Sequence, residues 1–270
     1  MEVVSFMKNV IIFASQECCS GMLEVSLLNS LYTVEHIAKD IDVVSEELNT
    51  NGYNAYVYYL HNNTHVENKR SISQNVKKAT VVTDDNLATV LSKCEKAVLL
   101  GVPAMLGTTD SFADRNYGNM WYDFFLNGEK MGQMGMIKTL LAVYGIPVMT
   151  VMSDSMGVLE AIKLFDKVET VVSVYDSIIC PGGWQCCSAY PVEKVHEKLK
   201  KAISLSLTKD HIIPDKPKFP MEAKVEYIRT DFCDIACAYN PKLKRLDARN
   251  VTWQINDIKT ISDMALRGEE

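Results

Sequence analysis

The sequence predicts an α/β chain, a mostly parallel sheet flanked by helices, with a smaller C-terminal α+β part. Three observations predict it: short apolar runs alternate with amphipathic helical stretches, the alternation persists to about residue 207, and a proline-rich segment then precedes a different pattern. At 270 residues, 47% hydrophobic and 23% charged, the chain can bury a sizeable core.

The first run, Val10-Ile11-Ile12-Phe13-Ala14, is a buried strand ending in the polar turn Ser15-Gln16-Glu17, and α/β proteins place chemistry just past a strand's carboxyl end. Ile37, Ile41, Val44 and Leu48 recur at helical spacing, and Asn51-Gly52 supplies the stop. Residues 55–60 (AYVYYL) form a second strand, HNNTH a loop, residues 84–94 a helix and 97–101 (AVLLG) a third strand. The stretch VPAMLGTTDSFADRNYGNMWYD reads as a long irregular loop bordering a cleft, with Tyr117, Trp121 and Tyr122 read as packing. Helices over 134–144 and 157–165 alternate with strands over 147–152 and 170–174, and Tyr190-Pro191 opens a long helix to about Leu207.

Pro214, Pro217 and Pro220 lie among charges and mark the best linker candidate. The predicted division is residues 1–212 as the α/β domain carrying the cleft, 213–223 as a linker and 224–270 as the α+β part. In that last part KVEYIR and VTWQI read as strands, and DFCDIACAY and IKTISDMAL as helices.

A net charge of −6 and a pI near 5.5 leave no basic stripe, which argues against nucleic acid as a partner, and no segment is apolar enough to predict a membrane span. The apolar run after Lys8 is too short for a signal peptide, so a cytoplasmic location is expected, with the eight cysteines as thiols. Cys18-Cys19 and Cys186-Cys187 are adjacent pairs without metal-knuckle spacing, whereas Cys233 and Cys237 share a helical face. Cys180-Pro181-Gly182-Gly183-Trp184 could admit a ligand close to the backbone, but it lacks the pattern of a phosphate loop.

The block FLNGEKMGQMGMIKTLLAVYGIPVMTVMSD carries Asn127-Gly128, Gly132-x-x-Gly135, a helix, Ile146-Pro147-Val148, a strand and Asp154. In that order of features, together with SQECCSGM at 15–22 and VTWQIND near the end, the chain resembles the M55 family of D-aminopeptidases over most of its length. The resemblance implies that family's α/β fold, a symmetric homo-oligomer, and a site where two zinc ions activate a hydroxide and polarise an amide carbonyl. It also implies where the ligands should stand, and most positions depart from the pattern. Ser15 matches the first aspartate and Glu17 the following glutamate. Asn62 falls at the second-strand histidine, with His61 and His65 beside it; Pro103 falls at the third-strand histidine and Gln133 at the late glutamate. A loop histidine implied in catalysis falls near Asp114 or Arg115.

Glutamine is a weak neutral ligand and proline offers none, so two dications would lack charge compensation and the reading expects no metal cofactor. A single divalent ion such as zinc, if bound, would use Glu17 and His61. The expected rim of the cleft holds Glu17, Cys18, His61 and Asp114 as catalytic candidates. Ser15, Asn62, Pro103, Arg115 and Gln133 are expected to contact ligand, with Cys186 and Cys187 nearby. Cys18 beside His61 is a candidate thiol nucleophile and base. The sequence therefore predicts a divergent protein that binds or acts on a small amide-, peptide- or amino-acid-like ligand without the di-zinc centre. Two alternatives stay open, an inactive binding or scaffold subunit and a hydrolase with a rebuilt mono-metal site.

Overall fold

The computed structural model describes residues 8–24, 27, 30–60, 72–115, 120–179 and 185–267. His61, Asn62, His65, Tyr117 and the stretch 180–184 lie outside the described residues. The first sheet contains β1 (Lys8–Ala14), β2 (Tyr53–Tyr59), β3 (Thr80–Val81), β4 (Lys96–Leu100), β7 (Val148–Asp154), β8 (Glu169–Ile179) and β9 (Gln185–Ala189). Its spatial order is β3-β2-β1-β4-β7-β8-β9, parallel throughout except for the β8/β9 pair.

A parallel sheet covered on both faces demands strands that are apolar at every position. β1 meets that demand: Val10, Ile12 and Ala14 join one core, and Ile11 and Phe13 the other. The first core lies under α1 (Leu31–Thr50) and α5 (Val192–Leu207), whose apolar stripes include Ile37, Ile41 and Val44, and Val195, Leu199 and Ile203. α1 starts where Ser30 accepts a hydrogen bond from Thr33 N. The opposite face is covered by α2 (Asp84–Leu91), α3 (Gln133–Tyr144), α4 (Ser155–Leu164) and a second sheet.

That second sheet is antiparallel, ordered β11-β12-β10-β5-β6. β10 (Met221–Tyr227), β11 (Lys244–Arg245) and β12 (Asn250–Ile255) come from the C-terminal residues, with α6 (Thr230–Tyr239) and α7 (Ile258–Arg267) between and after them. β5 (Trp121–Leu126) and β6 (Glu129–Lys130) come from the middle of the chain, which corrects the expectation of an irregular loop through residue 123. Asn127 and Gly128 turn between them with φ of 51° and 82°, the positive pair that a two-residue hairpin requires. Trp121 stacks on Phe124 with ring centroids 5.6 Å apart, so its role is packing as expected, whereas Tyr122 is exposed.

The thiol expectation also needs correction, because Cys186 is disulfide-bonded; Cys18, Cys19, Cys94, Cys187, Cys233 and Cys237 are free. Among the described residues no helix is long and apolar enough to cross a membrane.

Candidate active site

Strand order reverses at β1: β2 lies on one side of it and β4 on the other, so the carboxyl ends of β1 and β4 form a topological switch point, the place where open α/β sheets carry a binding crevice. The segment leaving β1 is bound tightly to β4. Ser15 N donates to Leu100 O (2.8 Å) and Cys18 N to Gly101 O (3.1 Å). Gly101 has φ of 69°, and a Cβ there would lie 2.1 Å from the Ser15 carbonyl oxygen, so the approach admits glycine alone.

Ser15, Gln16 and Glu17 are all buried at this switch point. The Ser15 hydroxyl donates to the Glu17 carboxylate. Gln16 Oε1 accepts from the Tyr59 hydroxyl at 2.7 Å, tying the ends of β1 and β2. Burial, with the Glu17 charge second, pushes the Tyr59 phenol well up, so it remains a protonated donor.

Cys18 is fully enclosed. Burial raises its thiol well above the usual range and the nearby Asp154 charge raises it further, against a smaller opposing hydrogen bond from the Asp154 backbone. Reactive cysteines need the reverse environment, partly exposed and electropositive. The structure therefore recasts Cys18, expected as a nucleophile, as a neutral packing thiol. Cys19 is equally buried and raised, first by desolvation and then by Asp40. At neutral pH, alkylation of the native protein should modify the half-buried Cys237 first and leave Cys18 and Cys19 unlabelled until denaturant is added. Peptide mapping by mass spectrometry checks this, and rapid native labelling of Cys18 would restore it as a nucleophile.

The segment between Val102 and Arg115 follows β4 and is held from β7. Ser153 Oγ donates to Val102 O at 2.5 Å. Asp154 is the main anchor: Oδ2 accepts from Ser111 Oγ and from Phe112 N, and Oδ1 accepts from Gly157 N as the N-cap of α4, each at 2.7 Å. Gln185 Nε2 reaches the same segment at Ser111 O (3.1 Å). Asp114, expected as a catalytic acid or base, instead closes the segment on itself by accepting from Gly107 N at 2.6 Å. Arg115 N donates to Ala104 O (3.0 Å), and Asp114 and Arg115 are half-buried. Pro103 is buried just after β4, and Gln133 is buried as the first residue of α3. Cys187 is half-buried, its thiol donating to Met22 O at 3.2 Å and its pKa pushed up to about 12, first by burial.

Sequence reasoning missed a second polar cluster behind this segment. Asp40 of α1, fully buried, accepts from Ser20 N (2.8 Å) and Ser20 Oγ (2.5 Å), and its Oδ1 lies 2.8 Å from His196 Nε2 of α5. Its signal was a carboxylate within the apolar stripe of α1. Because the serine and the carboxylate both meet the same imidazole nitrogen, the cluster lacks the two-sided relay of a hydrolytic triad.

Residues 73–266 match the M55 peptidase family, described as D-aminopeptidase. The chain belongs to the M55 D-aminopeptidase family. Among solved structures it is similar to the Zn-dependent D-aminopeptidase DppA from Bacillus subtilis, titled a self-compartmentalizing protease. The TM-score is 0.78 at 17% identity, over 96% of this chain and 98% of that one. No curated protein matches it. At this identity the structural likeness shows the α/β fold.

Of the positions that the resemblance assigns to ligands, the described ones carry Ser15, Glu17, Pro103 and Gln133, a single carboxylate. Among the described residues no three His, Cys, Asp or Glu side chains converge. This donor set does not fit a di-zinc centre, which needs several anionic or imidazole ligands.

Proposed function

We propose that this M55 chain binds, and acts on, a small amide-, peptide- or amino-acid-like molecule in the crevice beyond β1 and β4, without the di-zinc centre. The reading rests on one combination: the switch point after β1 and Glu17 are retained, while Ser15, Pro103 and Gln133 occupy positions where zinc would need charged or imidazole donors. Glu17 is then the group that takes or gives a proton, with the Ser15 hydroxyl orienting its carboxylate. The segment 102–115 forms the wall that excludes water. A homo-oligomer in the cytoplasm is part of the same reading, supported by the similarity to a self-compartmentalizing protease.

The test pairs metal content with turnover. Protein purified without chelator and desalted should carry far less than one metal ion per chain by plasma mass spectrometry. It should nevertheless hydrolyse at least one member of a panel of amino-acid amides and short peptides of both chiralities. Glu17→Gln should cut that turnover by about 100-fold or more while leaving the melting temperature within a few degrees. Two tightly bound zinc ions per chain would sink the reading. One zinc per chain would favour the rebuilt mono-metal hydrolase. Metal-free, folded protein without turnover would leave the binding subunit.

A further inference from the structure

A cavity of about 860 Å³ opens on a different flank of α3, within the size range of small-ligand sites. Gly135, Lys138 and Ala142 of α3 line it at helical spacing, whereas Gln133 and Ile137 do not, and neither do Ser15, Glu17, Cys18 or Asp154. Residues 212–218 also line it, overlapping the stretch 213–223 expected from its prolines to be a linker. The floor is apolar, formed by Leu126, Leu141, Ile146, Phe165 and Met221.

Two kinds of charged group meet over that floor. Glu160 of α4 is half-buried, and its Oε2 accepts from Met105 N at 2.7 Å. Its Oε1 has no partner among the described residues. Lys138 is half-buried and Lys163 and Lys216 are exposed, and none of the three makes an ion pair among the described residues. An apolar cavity that holds one half-satisfied carboxylate and several unpaired ammonium groups complements a molecule with both charges on an apolar body.

We propose that this cavity is a second binding site, separate from the crevice, for a zwitterionic apolar molecule such as a short apolar peptide or amino acid with free termini. The ligand's ammonium group meets Glu160 Oε1, its carboxylate meets Lys138, and its side chains cover Leu141 and Phe165. Burial pushes the Glu160 carboxyl up and the Asp154 charge adds to it, more than the Met105 N–H and the Lys163 charge bring it down, so an incoming ammonium group relieves an environment that disfavours its charge. Glu129, Asp166 and Asp215 also line the cavity, which disfavours a purely anionic ligand.

Calorimetric titration of the full chain with leucyl-leucine tests the proposal, with the probe's integrity checked by mass spectrometry. Binding is expected with a Kd of about 0.1–1 mM. N-acetyl-leucyl-leucine and leucyl-leucinamide should each bind about tenfold or more weakly, as should leucyl-leucine to Glu160→Gln and to Lys138→Met. Lys138 is a half-buried helix residue whose replacement leaves no unpaired buried group, so this variant keeps the test open if Glu160→Gln folds poorly. Absence of binding at 10-fold the upper expected Kd, equal binding of the capped probes, or binding retained unchanged in both Glu160→Gln and Lys138→Met, which would place the dipeptide in the crevice, would each overturn it.

Discussion

Asp154→Ala should destabilise the protein by about 3–5 kcal/mol in urea unfolding, because three donors lose their acceptor at once. The Ser111 hydroxyl and the Phe112 and Gly157 amides all donate to this one buried carboxylate. Loss of a helix cap alone costs about 1 kcal/mol, and each buried donor left unpaired about 1–3 kcal/mol. The effect should be local as well as global. Asp110 and Ala113 hold φ of 62° and 59°, a left-handed backbone that non-glycine residues adopt at a cost and that the surrounding contacts must impose. With Asp154 removed, limited proteolysis between Val102 and Arg115 should accelerate before the rest of the chain is cut. Asp154→Asn should lose less, since asparagine still caps α4, although its amide cannot accept from both Ser111 and Phe112 as the carboxylate oxygen does. A loss below about 1 kcal/mol for the alanine variant, with unchanged proteolysis, would show that the segment is held by other means.

Asp40→Ala should cost a similar amount, about 3–5 kcal/mol, for a different reason. Asp40 lies among Ile37, Ile41 and Val44 on the buried face of α1, where a carboxylate is tolerated only because Ser20 and His196 satisfy it. Removing it strands the Ser20 amide and hydroxyl and uncouples α5 from the segment that leaves β1. A triple variant, Asp40→Leu with Ser20→Ala and His196→Leu, should recover much of the loss by removing the stranded side-chain groups as well. If the triple variant were less stable than Asp40→Ala, the cluster would contribute net stability beyond the satisfaction of its own members.

The fold was legible wherever local pattern and tertiary role agree. β1, β4 and β7 read as apolar runs because both faces of a parallel sheet are covered, and α1 and α5 read as stripes because each faces one core. β5 was not legible: WYDFFL follows a glycine- and aromatic-rich stretch, and its strand exists because β10 pairs with it from far along the chain. β9 was missed for the same reason, as it is fixed by antiparallel pairing to β8.

At the site, the resemblance located Ser15, Glu17, Pro103 and Gln133, and the switch point agrees with placing chemistry after β1. What sequence could not give is the direction of each side chain. Cys18 follows an acidic residue in a polar turn, which reads as exposed, yet Gly101 draws that turn against β4 and encloses the thiol. Asp154 reads in the sequence only as part of a motif, but its three donors are set by how α4 and the 102–115 segment meet.

The placement of β5 has a consequence for synthesis. Asn127, at the turn after β5, and Glu222 of β10 are bonded across 95 residues of sequence. At translation rates of about 5–20 residues per second, β5 waits roughly 5–20 s for its partner strand to be made. Throughout that interval Trp121, Phe124 and Leu126, all buried in the finished protein, belong to a strand without its central neighbour. The nascent chain thus carries an unpaired apolar edge until β10 has been made, the kind of edge that invites pairing with another chain.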